Sequence, residues 1–126
     1  MDQFDDIILG QGLAGTTLAW RLIDRGRRVL VIDHSAPGTS SRLAAGLLTP
    51  ITGQRLTVAW RHEDLWQPAI NFYREIQSRT NSRFLHECGA VRLFQHTADH
   101  ETFTRRQTQE PSFARLVRPQ NQFTRV

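Results

Sequence analysis

Three glycines in the run Gly10-Gln11-Gly12-Leu13-Ala14-Gly15 are the residues whose type and spacing could do the most definite chemistry. Gly10 permits a tight turn out of a strand, Gly12 lets the backbone approach a pyrophosphate with no Cβ in the way, and Gly15 allows a helix to pack closely on that strand. A helix beginning in this turn adds unsatisfied N–H groups and the positive end of its dipole, both favourable to a diphosphate. Asp33, eighteen positions past Gly15, can accept hydrogen bonds from the hydroxyls of an adenosine ribose. A mononucleotide P-loop is excluded, because no Gly-Lys-Ser/Thr follows and the chain has no lysine. The pattern therefore indicates a dinucleotide without saying which; on ribose chemistry alone Asp33 favours NAD.

These residues need particular elements to hold them. Residues 4–9 end in Ile7-Ile8-Leu9, an apolar run suited to a buried strand. A helix is predicted from the glycine turn to Arg25, with Ala14, Leu18 and Leu22 on one face and Ala19 and Ile23 widening it. Gly26 is placed to end that helix in the left-handed conformation. Residues 28–33 (Arg-Val-Leu-Val-Ile-Asp) read as a second buried strand, and strand, helix and strand make a parallel βαβ unit. The fold class is α/β. Residues 37–41 read as a loop, 43–48 as an apolar stretch containing Gly46, and Pro50 and Gly53 close that segment. A second helix is predicted over 64–78, with Leu65, Ala69, Phe72, Tyr73 and Ile76 on one face and Pro68 in its first turn. Short strands are expected over 83–88 and 90–94 and a weak polar helix over 99–109; the rest shows no periodicity.

After the second strand a nicotinamide domain would continue into a helix and a third strand, whereas this chain continues with a loop and Ser40-Ser41-Arg42-Leu43-Ala44-Ala45-Gly46-Leu47-Leu48-Thr49-Pro50. With the glycine turn, the Val31-Ile32-Asp33 strand end and Phe72-Tyr73-Arg74-Glu75, this resembles the N-terminus of the FAD-dependent oxidoreductases of the D-amino-acid oxidase and glycine oxidase group, from about residue 5 to 94. The resemblance implies FAD as cofactor and an incomplete Rossmann-like unit, followed by a helix and short strands that begin a substrate domain. It gives cofactor-binding roles to Gly10, Gly12, Leu13, Ala14, Gly15, Asp33, His34, Ser41, Arg42, Ala44, Ala45, Gly46 and Leu47. Asp33 stands where that family more often has Glu. Small residues at 44–46 suit close approach of backbone to a planar ring, and Arg42 suits phosphate charge.

The family is several-fold longer, so the chain is expected to be the first part of an enzyme acting on small-molecule amines or amino acids by hydride transfer to FAD, and inactive alone. Its expected divisions are 1–58 for the FAD-binding unit and pyrophosphate/flavin loop, 59–110 for the start of a substrate region, and 111–126 for an irregular tail. No catalytic residue is named among the 126, and oligomeric state is not indicated.

Charge and composition set the competing readings. Residues 1–78 balance eight Arg against eight acids, while 79–126 hold eight Arg against four, giving the whole net charge of +4. An Arg-rich nucleic-acid-binding module is the alternative from another class, and an NAD(P)-dependent dehydrogenase fragment the nearer one; nucleic acid is not the expected partner. The single cysteine, Cys88, excludes an internal disulfide and fits a reducing compartment. Residues 7–20 lack the basic flank of a signal peptide and the length of a membrane span, so a cytoplasmic protein with no transmembrane segment is expected. His96 and His100 stand four apart but lack a third ligand, so no metal is assigned. His62, Glu63 and Asp64 read as a solvated helix start, Trp20, Trp60 and Trp66 as packing residues, and Cys88 as an inert strand thiol.

Overall fold

β1 (Asp6–Leu9) and β2 (Val29–Ile32) pair in parallel, Asp6 opposite Val29 through Leu9 opposite Ile32, with α1 (Leu13–Ile23) as the crossover between them. These elements come from a computed structural model that describes residues 3–118. The parallel βαβ unit agrees with the sequence reading, and it lies in the first of two compact units, which meet in sequence between Leu47 and Leu48.

Charged pairs fasten the start of the ladder. Asp6 accepts from the Arg27 guanidinium, and the Arg28 amide donates to Asp5 Oδ2 at 2.8 Å. At the other end Gly10 N–H continues the ladder onto the Ile32 carbonyl at 2.8 Å. α1 stops two residues before its predicted end. Gly26, at φ +74°, then returns the chain, so that the Arg27 amide reaches the Leu22 carbonyl at 3.2 Å.

The packed face of α1 differs from the expected Ala14/Leu18/Leu22 stripe. Ala14 and Leu18 are exposed; Ala19 is buried, and Gly15 lies against Ile8. Small residues take the inner face because they let the helix axis come closest to the strand; Leu18 and Ile23 are turned outward, and Leu22 is half-buried. α2 (Ser40–Leu43), a single turn with Thr39 at its N-cap position, stands where a loop was expected.

In the second unit, β3 (Ile51–Thr52) and β4 (Thr57–Val58) form an antiparallel hairpin that the sequence did not announce. Its turn uses φ +66° at Gly53 and +53° at Leu56, and burial of the Leu56 side chain to 3% exposure offsets the unfavourable backbone of a non-glycine residue there. α3 (His62–Thr80) is longer than predicted at both ends. Glu63 and Asp64 occupy its first turn, where carboxylates complement the dipole, and Asn81 closes it in the left-handed region, with the Ser82 amide on the Gln77 carbonyl. Pro68 therefore falls inside the helix, not in its first turn. Ile70, Phe72 and Ile76 are the buried residues, and Leu65, expected inside, is exposed.

Residues 82–95 form no regular secondary structure, so the two strands expected over 83–88 and 90–94 are absent. A strand requires a ladder partner as well as apolar residues, and here the Phe84 and Leu85 amides are taken by the Gln77 side chain at 3.0 and 2.9 Å. α4 (Thr97–Gln109) starts two residues early, because His96 and Asp99 form a capping box. α5 (Pro111–Leu116), with proline in its first turn, occupies sequence in which no periodicity was read, and the part of the expected tail beyond Arg118 lies outside the described residues. Phe94, Phe103 and Phe113 stack in series at 5.3 and 5.8 Å, Phe113 being fully buried.

Candidate dinucleotide site

The glycine turn is assembled from three stretches of the first unit. Gly10 adopts φ +94°, open to glycine, and a Cβ there would meet nothing within 4 Å. A Cβ on Gly15 would lie 2.0 Å from the Gly10 carbonyl oxygen, so the helix seats directly on the turn's backbone. Gly12 occupies the N-cap of α1 in extended conformation and brings no side-chain cap for the first-turn amides.

Asp33 stands beside this helix start. Its Oδ2 accepts the Gln11 amide at 2.6 Å and its Oδ1 the Ser35 amide at 2.6 Å. These two bonds, with His34 and Arg42 adding favourable charge, hold the carboxyl below its usual range, so it is ionised at neutral pH. Each oxygen keeps a further lone pair for a hydroxyl donor. From the other side Ser41 Oγ, on α2, accepts the Leu13 amide at 3.0 Å.

The structure thus draws together the Gly10–Gly15 turn, Asp33 (through the Gln11 amide) and Ser41 (through the Leu13 amide), while His34 and Arg42 adjoin Asp33 and Ser41 in sequence. Ala14 sits in the exposed first turn of α1. Ala44, Ala45, Gly46 and Leu47 leave α2 as exposed, irregular chain with Gly46 at φ +68°. Ser35, at φ +54°, was missed by sequence reasoning. An Asp followed two positions later by a free amide is the signal that could have found it, since Asx turns use that spacing.

The other polar groups singled out from sequence lie in the second unit and have local partners. His62 packs on Trp66 with ring centres 5.0 Å apart, Glu63 meets Arg115 at 3.3 Å, and Asp64 meets Arg61 at 3.0 Å. His96 caps α4, and His100 packs edge-on against Phe94. Trp60 is not a packing residue: it is 78% exposed, with the Arg61 guanidinium 5.4 Å from its ring centre. Cys88 is exposed and lies in no strand. No helix among the described residues is long and apolar enough to cross a membrane.

The model of one protein family, described as FAD dependent oxidoreductase (DAO), matches residues 5–123, which takes in nearly the whole chain and the entire glycine-turn assembly. The chain belongs to this family of FAD-dependent oxidoreductases. Among curated proteins it is similar to "Uncharacterized oxidoreductase YurR" of Bacillus subtilis (strain 168), with 41% identity over 73 residues, which is 56% of this chain and 18% of the relative. The chain thus spans less than a fifth of that relative's length. No solved structure matches it significantly. The residues present fit the diphosphate and ribose of the family's cofactor: a helix start free of its own cap, an ionised acceptor beside it, and a second helix turn carrying a serine and an arginine.

Proposed function

We propose that this chain is the N-terminal, FAD-holding portion of a flavin-dependent oxidoreductase of the D-amino-acid oxidase and glycine oxidase group, acting on small-molecule amines or amino acids. The observation that carries the reading is the joint attachment of Asp33 and Ser41 to consecutive parts of one glycine turn, at 2.6 and 3.0 Å. In this reading the amides of Ala14 and Gly15 and the Ser41 hydroxyl face the diphosphate. Ser41 Oγ accepts from Leu13 and so keeps its own proton to donate. Asp33 accepts from the adenosine ribose, and Arg42 offsets phosphate charge. Residues 44–47, small and exposed, are left for the remainder of the cofactor. When bound, FAD supplies the hydride-accepting ring, and these residues supply binding and orientation.

The cofactor assignment is tested by equilibrium dialysis of the chain against FAD, NAD and ADP. Binding of ADP with FAD preferred over NAD is the expected result. Preference for NAD returns the nicotinamide alternative, and salt-sensitive retention of DNA or RNA without any dinucleotide supports the Arg-rich module. For substrate class, anaerobic bleaching of the flavin by a panel of amines and amino acids, in the enzyme that carries this chain, is the deciding measurement. The chain by itself is expected to hold FAD weakly and to bleach with none of them.

A further inference from the structure

We infer that Ser41 is a positioning residue that caps α1 from a distance, and that a side chain at position 12 would crowd this cap. The inference rests on the dinucleotide reading of the turn and goes beyond it, since that reading assigns the absence of a side chain at Gly12 to the ligand.

An N-cap residue ordinarily uses its own Ser, Thr, Asp or Asn oxygen to take one of the first-turn amides. Gly12 has none, and the oxygen comes instead from Ser41, 28 positions along the chain, to the Leu13 amide at 3.0 Å. A Cβ at Gly12 would lie 3.2 Å from that same oxygen, tighter than an ordinary van der Waals contact. Any side chain at 12, including one able to cap the helix itself, therefore presses on the remote cap. Gly10 shows the contrast, for a Cβ there meets nothing within 4 Å and the glycine serves only the backbone angle.

The cap also ties two elements together. α2 is one turn long, and the Ser41–Leu13 bond joins it to the start of α1. Loss of the hydroxyl should loosen residues 40–43, while leaving the adenosine end at Asp33 in place.

The test uses the chain with Ser41→Ala, Ser41→Thr, Gly12→Ala and the double variant Gly12→Ala/Ser41→Ala. Amide exchange at Leu13 is read without ligand, and dialysis is run with ADP and with adenosine. Ser41→Ala should speed exchange at Leu13 and weaken ADP roughly tenfold, the value of one hydrogen bond, with adenosine changed less than about twofold. Ser41→Thr should restore both. Gly12→Ala should weaken ADP to a similar degree, and the double variant should bind no worse than either single one, because both act on one contact. Unchanged exchange at Leu13, or losses that add in the double variant, overturns the inference while ADP still binds the unmodified chain. Failure of the unmodified chain to bind ADP more tightly than adenosine overturns the dinucleotide reading itself.

Discussion

The glycine turn and residues 82–95 are both irregular backbone, yet they are held by opposite means. At the turn the constraint lies in atoms that are missing and in short side chains. Gly15 leaves no room for a Cβ, and Asp33 and Ser41 reach amides 22 and 28 positions away through short side chains, three and two bonds from Cα. Residues 82–95 are tied by long side chains instead. Gln77 takes two amides, Arg74 grips Glu87 through two bonds at 2.8 and 2.7 Å, and Arg92 reaches the Gly53 carbonyl at 2.9 Å. Long side chains lose more entropy on being fixed and leave their charged ends in water, so the second arrangement is the more compliant. One region fails when an atom is added, and the other loosens when atoms are removed.

Substitutions can break this contrast, beginning with the most damaging. Gly15→Ala places a methyl 2.0 Å from a carbonyl oxygen that cannot rotate away, and should destabilise the first unit by about 3 kcal/mol or more, read as an early unfolding step in thermal melts. A variant that melts like the parent would show the turn to be as compliant as residues 82–95. Asp33→Asn comes next, because an amide oxygen can replace only one of the two carboxylate acceptors and its NH2 faces the other N–H group. A drop of several degrees in melting temperature is expected above pH 5. The folded carboxyl titrates below its ordinary 3.8, so its stabilisation is present above that value and is lost as pH falls below it. The difference between parent and Asp33→Asn should accordingly vanish in strong acid. Gln77→Ala removes the acceptor of two exposed or half-buried amides and should cost about 1–2 kcal/mol, with faster exchange confined to Phe84 and Leu85. Glu87→Gln breaks an ion pair whose members are about half exposed, and should change stability by less than about 1 kcal/mol, an effect erased by salt.

How legible each region was follows from the same contrast. Glycine spacing, an apolar run on either side and Asp33 at a strand end are local signals, and they were sufficient for the βαβ unit and for the approximate helix ends. The inner face of α1 was read in part: Ala19 is buried as expected, but Ala14 and Leu18 are exposed, because periodicity marks apolar positions and does not rank them by size, whereas close approach to Ile8 selects Gly15. Ser41 was named from a family pattern, but its bond to Leu13 joins residues too far apart for spacing to reveal. The β3–β4 hairpin was missed because two-residue strands carry no alternation to read, and its turn depends on a left-handed Leu56 that burial sustains. Residues 83–94 were overread: Phe84, Val91 and Leu93 suggest a pleated strand, but no neighbouring strand among the described residues accepts them, and they are 47%, 61% and 72% exposed. α5 was detectable in principle, since Pro111 opens it in the position where proline is preferred.

The parallel register of β1 and β2 has a bearing on the order in which this unit comes into being. Every residue in the ladder is matched with one 23 positions away, and no pair is closer. No hairpin can nucleate it, and the intervening chain must be closed before the first strand contact forms. α1 is the natural means of shortening that gap, yet at 11 residues it is marginal as an isolated helix. Helix and ladder therefore support each other, and Asp5 and Asp6 meet Arg28 and Arg27 where the closed chain brings its ends together.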